Sequence, residues 1–375
     1  MRARIGINLL WLVPGDVGGS EESTLASIRA LVDLADRELD LRLFVVEPML
    51  RAHPDVVASL PTEVLPVSGR GRGGRIVAET TWLAARSRGL DLVHHAGGTA
   101  PPLRGAPYVL TLHDLQPLER RATHSVVKRA YLGIAIPPSA RRARRIVVPS
   151  EFVRRSVLDR LGVDAGRVRV VPHGVDVLAA RTPAEVLIER YGIDGPVVLY
   201  PAITYPHKNH RVLVDAFARV LSRHPDALLV LPGGRGGEED RLRDQVDELG
   251  LRARVRRTGR ISAADVAGLY DLASVVAVPS WYEGFGLPAV EAMAYGAPLV
   301  AARATALPDV VGDAGLLVDP DDVAGWAEAI TGLLDSGADR DRLRSAGRQR
   351  AGRYTWGANA TALAGVYHEA LSGEP

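Results

Sequence analysis

The chain has 375 residues, more than one hydrophobic core normally organises, so two domains are expected. Apolar residues make up 47% and charged residues 24%, and the lack of cysteine excludes disulfide scaffolds, zinc–thiolate sites and cysteine nucleophiles. The net charge is only +2, and the arginines are not interleaved with aromatic residues, which are 5% of the chain, so nucleic acid is not expected as a partner.

Short apolar runs alternate along the chain with segments of helical period, a pattern typical of parallel α/β architecture. The run 5–13 follows Arg2 and Arg4, as in a signal peptide, but no small-residue cleavage site comes after it, so a buried first strand is predicted. The predicted strands are 5–13, 41–46, 91–94, 108–112, 145–148 and 167–171, then 197–200, 227–231, 253–256, 274–278, 298–301 and 315–318.

The alternation breaks near residues 172–195. We therefore predict an α/β fold of two doubly wound, parallel-sheet domains, residues 1–178 and 179–352, that face each other across a cleft. A C-terminal helix in 353–375 is expected to cross back to the first domain. No apolar run approaches the ~20 residues needed to cross a bilayer, so a cytoplasmic location is predicted.

Ligands of open α/β sheets bind beyond the carboxyl ends of the strands, so the residues that follow each strand are candidates for function. Gly18 and Gly19 follow the first strand and open a helix, where backbone amides can approach a phosphate closely. His113 and Asp114 follow the strand 108–112, and such a histidine can bind a sugar hydroxyl or steady charge at a reacting centre. A glycine that merely turns the chain and a structural histidine remain the alternatives.

A lysine follows the strand 197–200. Only two of the 46 basic residues are lysines, Lys128 and Lys208, and Lys208 stands beside His207 where a loop leads into a helix. A compact ammonium suits a diphosphate where a planar guanidinium is too bulky. The pattern favours a functional lysine at Lys208, with chance placement as the alternative.

The segment 279–291, after the strand 274–278, carries the most specific pattern. Pro288 suits the start of a helix, and Gly284 and Gly286 let the preceding backbone curl, so that amides of the turn point at one spot at the positive end of a helix dipole. Glu283 stands before the turn and Glu291 is expected in the first helical turn. Carboxylates beside phosphate-binding amides suit a sugar nucleotide, whose hydroxyls donate while its phosphates accept.

The segment 279–291 resembles the E-x7-E signature of the retaining glycosyltransferases with the GT-B fold, a family that includes bacterial mannosyltransferases and sucrose synthases. The resemblance extends over nearly the whole chain, through Gly18-Gly19 and the segments 111–114, 148–152, 171–176, 206–210 and 315–320. It implies a donor-binding second domain and an acceptor-side first domain.

The resemblance also implies a role for each matching residue. Glu283 would hold hydroxyls of the donor sugar, Glu291 the nucleotide ribose, and Lys208 the diphosphate as the leaving group departs. The backbone from Gly284 through Phe285 and Gly286 to Leu287 would meet the sugar and the diphosphate. Gly18 and Gly19 would close over the donor, His113 would contact the transferred sugar near its reacting carbon, and Asp114 would join the donor-binding residues. His113, Lys208 and Glu283 are the predicted catalytic residues.

The chain departs from the family in one respect. Such enzymes often carry an arginine six residues before the lysine, and this position is Ala202, so Arg235 or Arg260 is a candidate substitute. Two weaker sequence patterns are not interpreted as ligand sites. The glycine-rich segment 69–74 is expected to be a mobile basic loop near the acceptor rather than a dinucleotide site, and Asp319, Asp321 and Asp322 read as a helix-capping turn.

The resulting prediction is a retaining, metal-independent hexosyltransferase without a cofactor, acting by front-face displacement as the resemblance implies. It would use a nucleotide-diphosphate sugar, with GDP-mannose or a related donor favoured, and a saccharide, lipid-linked glycan or small-molecule acceptor. Residues 1–180 carry 25 basic and 18 acidic residues, which suits an anionic partner, so peripheral contact with the inner face of a membrane stays open beside a merely solvated basic face. A sugar-nucleotide epimerase and a non-catalytic sugar-nucleotide-binding subunit are the alternatives.

Overall fold

A computed structural model describes residues 2–15, 18–102, 105–119 and 126–373, without the side chains of Arg72, Pro117 and residues 126–129. The chain forms two compact units, one of residues Met1–Gly174 with Trp356–Pro375, the other of Val175–Thr355. The chain therefore passes from the first unit to the second after residue 174 and returns after residue 355, whereas the sequence predicts these boundaries after residues 178 and 352. No helix among the described residues is long and apolar enough to cross a membrane.

The described part of the first unit contains a seven-stranded parallel sheet with the order β3-β2-β1-β4-β5-β6-β7. Its strands are β1 Ala3–Asn8, β2 Leu39–Val46, β3 Thr62–Leu65, β4 Leu92–His95, β5 Tyr108–Thr111, β6 Arg145–Val148 and β7 Val168–Val170. Its helices are α1 Gly19–Leu34, α2 Met49–Ala52, α3 Pro54–Ser59, α4 Arg72–Ala78, α5 Ala84–Arg86, α6 Gln116–Glu119, α7 Val126–Arg142 and α8 Glu151–Leu161, with a π-helical turn at Glu79–Leu83.

The described part of the second unit contains a six-stranded parallel sheet with the order β10-β9-β8-β11-β12-β13. Its strands are β8 Val197–Leu199, β9 Leu228–Pro232, β10 Val255–Gly259, β11 Ala273–Val278, β12 Leu299–Ala302 and β13 Leu316–Val318. Its helices are α9 Ala184–Tyr191, α10 His210–Val220, α11 Glu239–Glu248, α12 Ala263–Leu272, α13 Leu287–Tyr295, α14 Leu307–Val311, α15 Val323–Asp335 and α16 Gly337–Ala351. The predicted parallel α/β class is confirmed in both units.

The last helix, α17 Trp356–Ser372, packs against α1 in the first unit. Tyr367 is fully buried, and its hydroxyl lies 2.8 Å from Nδ1 of His94 in β4. Asn359 donates through Nδ2 to the carbonyl of Pro172 at 2.7 Å, and His368 contacts Asp36, just beyond the end of α1, at 2.8 Å. The C-terminal segment therefore completes the core of the unit in which the chain begins.

Three sequence predictions differ from the structure. β1 ends at Asn8 rather than at residue 13, because the Asn8 side chain accepts the amide of Leu10 at 3.1 Å and turns the chain. β3 was not predicted, since only one of its four residues is buried and an edge strand carries little apolar signal. The glycine-rich segment 69–74 is not wholly a loop, because α4 begins at Arg72 and takes Gly73 and Gly74 into its first turn.

Two buried histidines, His94 and His95, and two partly buried ones, His113 and His173, give the first unit a specific sensitivity to acid. Burial is the main cause that lowers the pKa of His94, His95 and His173 to about 3, and that of His113 to about 4, from an ordinary value of 6.5. The unfolded chain therefore binds protons near pH 6 that the folded unit does not bind. Their contribution to stability is complete above pH 6.5 and falls as the pH drops towards 4.

We expect the melting temperature of the first unit to fall between pH 7 and pH 5, where carboxyl groups of ordinary pKa hardly titrate. Each such histidine adds a slope of up to about 1.4 kcal/mol per pH unit in this range. Scanning calorimetry at several pH values measures it, and His95→Gln should flatten the slope by about a quarter. A melting temperature that stays constant from pH 7 to pH 5 would contradict the argument.

Candidate active site

The site in the second unit is built on β8 and β11, which are neighbours in the middle of the sheet. Because both strands are parallel, the loops that follow them leave the same edge of the sheet. One loop carries Lys208 and the other Glu283, and the Lys208 Nζ atom lies 2.7 Å from Oε1 of Glu283. Their side chains are 17% and 9% exposed, so this is a largely buried ion pair.

Lys208 is fixed by the turn that contains it. A 3-10 turn, Pro206–Lys208, is followed by Asn209 with φ of 54°, and α10 begins only at His210. Asparagine tolerates this left-handed conformation better than most residues. Its buried Nδ2 donates to the carbonyls of Pro279 at 3.1 Å and Pro320 at 2.7 Å, so the lysine turn is tied to the loop after β11.

Glu283 is ionised at neutral pH. Burial by itself raises the pKa of this carboxyl, but the Lys208 ammonium and hydrogen bonds from Lys208 and Ser280 outweigh burial and hold the pKa below its ordinary value. Ser280 is fully buried, and its hydroxyl lies 2.8 Å from that of Tyr200. The site thus keeps one full negative and one full positive charge in contact, away from most of the solvent.

The glycine turn after Glu283 leads directly into α13. Gly286 precedes α13 with φ of 99°, a conformation that favours glycine, and Pro288 is the second residue of that helix. A Cβ on Gly286 would lie 2.6 Å from Cδ2 of Leu307. Phe285 is 4% exposed and packs edge-on against Tyr354 at 5.4 Å between ring centroids. Gly284, Phe285, Gly286 and Leu287 therefore form a fixed turn at the positive end of the α13 dipole.

Glu291 lies just beyond the first turn of α13, whereas the sequence predicts it within that turn. It is the fifth residue of α13 rather than a member of its first turn. Its Oε2 atom accepts a hydrogen bond of 2.7 Å from the hydroxyl of Tyr270, which is 1% exposed in α12. Burial, and next the Glu291 charge, raise the pKa of Tyr270 well above its ordinary value, so the phenol stays a donor. Sequence reasoning missed Tyr270, since nothing in the spacing of the two residues brings them together.

The glycine loop of the first unit has a buried support. Gly18 has φ of 76° and precedes α1, which begins at Gly19, while Asp16 and Val17 lie outside the described residues. Glu21 is 5% exposed, and one of its oxygens accepts the Gly15 amide at 2.9 Å while the other lies 2.8 Å from His53 Nε2. Glu21 thus anchors the loop from within the first turn of α1.

His113 follows β5 as predicted. Its Nε2 atom donates to the carbonyl of Ala96 at 3.1 Å, which fixes the proton on that nitrogen. Because burial lowers its pKa to about 4, the ring is neutral at pH 7 and Nδ1 presents a lone pair. This Nδ1 atom has no hydrogen-bond partner within the described part of the chain, and His113 lines a cavity of about 40 Å³ in the first unit. Asp114 accepts the Gln116 amide at 2.9 Å, at the start of α6.

Asp319, Asp321 and Asp322 serve local structure, in agreement with the capping interpretation. Asp322 accepts the Gly325 amide at 2.9 Å and caps α15, Asp319 accepts the Asp321 amide at 2.9 Å, and Asp321 accepts Nε1 of Trp281 at 2.7 Å. The described residues contain no group of three or more His, Asp or Glu side chains suited to a metal ion.

The two arginines proposed to replace the one absent at Ala202 differ in their surroundings. Arg235 is 73% exposed and lies 3.8 Å from Asp240. Arg260 follows β10 directly and lies over Gly234, where a Cβ would come within 3.1 Å of its Nε. Gly234 accepts the Thr204 amide at 3.3 Å, in the loop that carries Ala202. Within the ranges the structure describes, the Arg260 side chain has no hydrogen-bond or ion-pair partner. The other lysine, Lys128, has a side chain outside the described residues.

Both units resemble known protein families in sequence. Residues 17–178 match the model of the family described as Glycosyltransferase Family 4, and residues 186–350 match that described as Glycosyl transferases group 1. The chain is 32% identical to a D-inositol 3-phosphate glycosyltransferase of Acidothermus cellulolyticus, over 96% of this chain and 87% of the relative. It is 31% identical to O-antigen chain mannosyltransferase B of Escherichia coli, over 71% of each chain.

Solved structures show the same fold. The crystal structure of Anabaena HepE in complex with UDP and glucose superposes with a TM-score of 0.77 at 21% identity, covering 98% of this chain and all of that one. The expected GT-B fold is thereby confirmed. The Acidothermus relative is matched over 87% of its length, and the predicted enzyme class, a glycosyltransferase, is confirmed. The chain belongs to the family 4 glycosyltransferases, enzymes that use a nucleotide sugar.

Proposed function

We propose that this glycosyltransferase transfers a hexosyl group, with retention of configuration, from a nucleotide-diphosphate sugar to a saccharide, a lipid-linked glycan or a small-molecule acceptor. The observation that carries the proposal is the buried contact of Lys208 with Glu283 beside the glycine turn of α13. At one sheet edge, a carboxylate suits the sugar hydroxyls of such a donor, while a cation and helix-terminal amides suit its diphosphate, on which the leaving-group charge develops.

Lys208 would stabilise the departing diphosphate. Its ammonium has three donors, and among the described residues the contact to Glu283 at 2.7 Å uses one of them. A phosphate oxygen can take another donor without breaking the ion pair. Because the surroundings are largely dry, charge that develops on the leaving group is stabilised there more strongly than in water.

Glu283 would bind hydroxyls of the transferred sugar rather than attack its anomeric carbon. A carboxylate held by an ammonium and by Ser280 is a poor nucleophile, because both contacts stabilise its negative charge. This supports front-face displacement, in which the donor phosphate takes the proton of the acceptor hydroxyl. The neutral His113 ring would accept a hydrogen bond from a sugar hydroxyl through Nδ1.

Glu291 would bind the ribose. Tyr270 donates to one of its oxygens and so holds the carboxylate in a fixed orientation, in which it would accept a hydroxyl of the nucleotide. Gly18 and Gly19 of the first unit, and Asp114, would add donor contacts. No metal or cofactor is proposed, because Lys208 and the α13 dipole supply positive charge for the diphosphate.

GDP-mannose or a related donor is our first proposal, and the mannosyltransferase name of the Escherichia coli relative favours it. A UDP-sugar is the second candidate, since the Anabaena neighbour was solved with UDP. Release of nucleoside diphosphate from each donor, in the presence of candidate acceptors, separates the two. An epimerase would change the sugar without releasing the diphosphate, and a binding subunit would do neither.

Substitutions of the two glutamates should change different kinetic parameters. Glu283→Gln should mainly lower kcat, because sugar contacts matter most while charge develops at the anomeric carbon, and Glu291→Gln should mainly raise the donor KM, because the ribose is remote from the broken bond. Calorimetry with free nucleoside diphosphate should give almost normal affinity for the Glu283 variant and weak affinity for the Glu291 variant. Affinities in the reverse order would show that the E-x7-E pair is placed wrongly on the donor.

Arg260 should supply the second cation for the diphosphate, since Arg235 has Asp240 beside it while Arg260 lies next to the loop of Ala202. Arg260→Ala should weaken nucleoside diphosphate binding by about tenfold, the loss expected for one hydrogen bond to a charged group. Arg235→Ala is the matched control and should bind within about twofold of the unchanged protein. An equal loss of nucleoside diphosphate affinity in the two variants would show that Arg260 is not the second cation.

Chelators should leave the activity intact. Donor turnover measured after dialysis against EDTA is expected to match that of untreated protein, because Lys208 and helix-terminal amides do the work that a divalent ion does elsewhere. The control is the same dialysis followed by magnesium or manganese. Activity that disappears in EDTA and returns with either ion would show that a metal takes part.

A further inference from the structure

Thr305 has a backbone conformation that threonine rarely adopts. It lies between β12 and α14 with φ of 52°, in the left-handed region, where a β-branched side chain is strained. The described residues other than glycine include only two more with positive φ, Ala35 and Asn209. Strain of this kind persists only where surrounding contacts require it.

The contacts of Thr305 point to Glu283. The Glu283 amide donates to Oγ1 of Thr305 at 3.0 Å, and the amide of the next residue, Ala306, donates to the Glu283 carbonyl at 3.4 Å. Both polar groups of the Glu283 backbone are therefore held by two consecutive residues of another loop. The carboxylate is held separately, by Lys208 and Ser280.

The next residue, Leu307, packs under the same turn. A Cβ on Gly286 would be 2.6 Å from its Cδ2 atom, so the two loops touch with no room for a side chain. Residues 305–307, which we call the support loop, thus contact the first residue and the last glycine of the turn 283–286. A shift of the support loop would move both.

We propose that Thr305 is a positioning residue for this enzyme: its hydroxyl holds the Glu283 backbone so that the carboxylate meets the transferred sugar. The proposal rests on the role given to Glu283 above. Glycine would adopt this φ without strain but has no hydroxyl to accept the amide, which explains why a strained threonine stands here. Serine is the conservative replacement, because it keeps the hydroxyl with less crowding.

Thr305→Ala and Thr305→Ser test the proposal. The alanine variant should lower kcat about tenfold, the rate equivalent of one lost hydrogen bond, with donor KM and nucleoside diphosphate affinity within about twofold. The serine variant should restore kcat to within about twofold. The Thr305→Gly variant should have the same kcat as the alanine variant. Its melting temperature should be no lower than that of the alanine variant, because glycine relieves the strain. Thr331→Ala, in the middle of α15, is the control for loss of a threonine and should keep normal kcat.

A double-mutant cycle shows whether Thr305 acts through Glu283. In a Glu283→Gln background, Thr305→Ala should cost less than about twofold in kcat, because the group it positions is already impaired. Independent, multiplying losses would overturn the proposal, as would a normal kcat in Thr305→Ala or a low kcat in Thr305→Ser. If Glu283→Gln alone leaves kcat unchanged, the proposed role of Glu283 fails instead, which separates the two conclusions.

Discussion

The candidate site of the second unit depends on one interaction, the largely buried ion pair between the Lys208 ammonium and the Glu283 carboxylate. Burying either charge alone costs several kcal/mol, and their attraction offsets this only when the geometry is good. The chain fixes that geometry through irregular backbone: Asn209 holds the lysine turn, and Thr305 and Gly286 hold the glutamate turn, all three with positive φ. Of these three residues Thr305 is strained, so local strain lies beside the candidate site.

Charge near the site differs from charge along the chain. The first half of the sequence is basic, yet its candidate site residue His113 is neutral because burial lowers its pKa to about 4. The second half is acidic, with 21 basic and 26 acidic residues after residue 180, yet it holds Lys208 and Arg260 at the sheet edge. Net charge therefore says little about which unit binds a phosphate, and the contacts of individual side chains decide it.

The sequence predicts the class of fold and the loops of the site because these depend on local pattern: apolar strands, and polar residues directly after them. Lys208 and Glu283 were found in this way, from composition at a strand end and from a glycine turn. Their supports were not, because Thr305 follows Glu283 by 22 residues, Tyr270 precedes Glu291 by 21, and no local spacing marks such pairs. β3 was not predicted because an edge strand leaves little apolar signal, and β1 was predicted too long because the apolar run continues to residue 13, beyond the turn at Asn8. The roles assigned to individual residues remain predictions.

The place of α17 has a consequence for synthesis on the ribosome. The second unit is one continuous segment, Val175–Thr355, whereas the first needs residues from both sides of it. The face of α1 that α17 covers, and His94, the hydrogen-bond partner of Tyr367, stay uncovered until α17 itself has emerged. Domains generally fold as units while the chain is made. The second unit can therefore reach its final structure before the first does, although it is translated later.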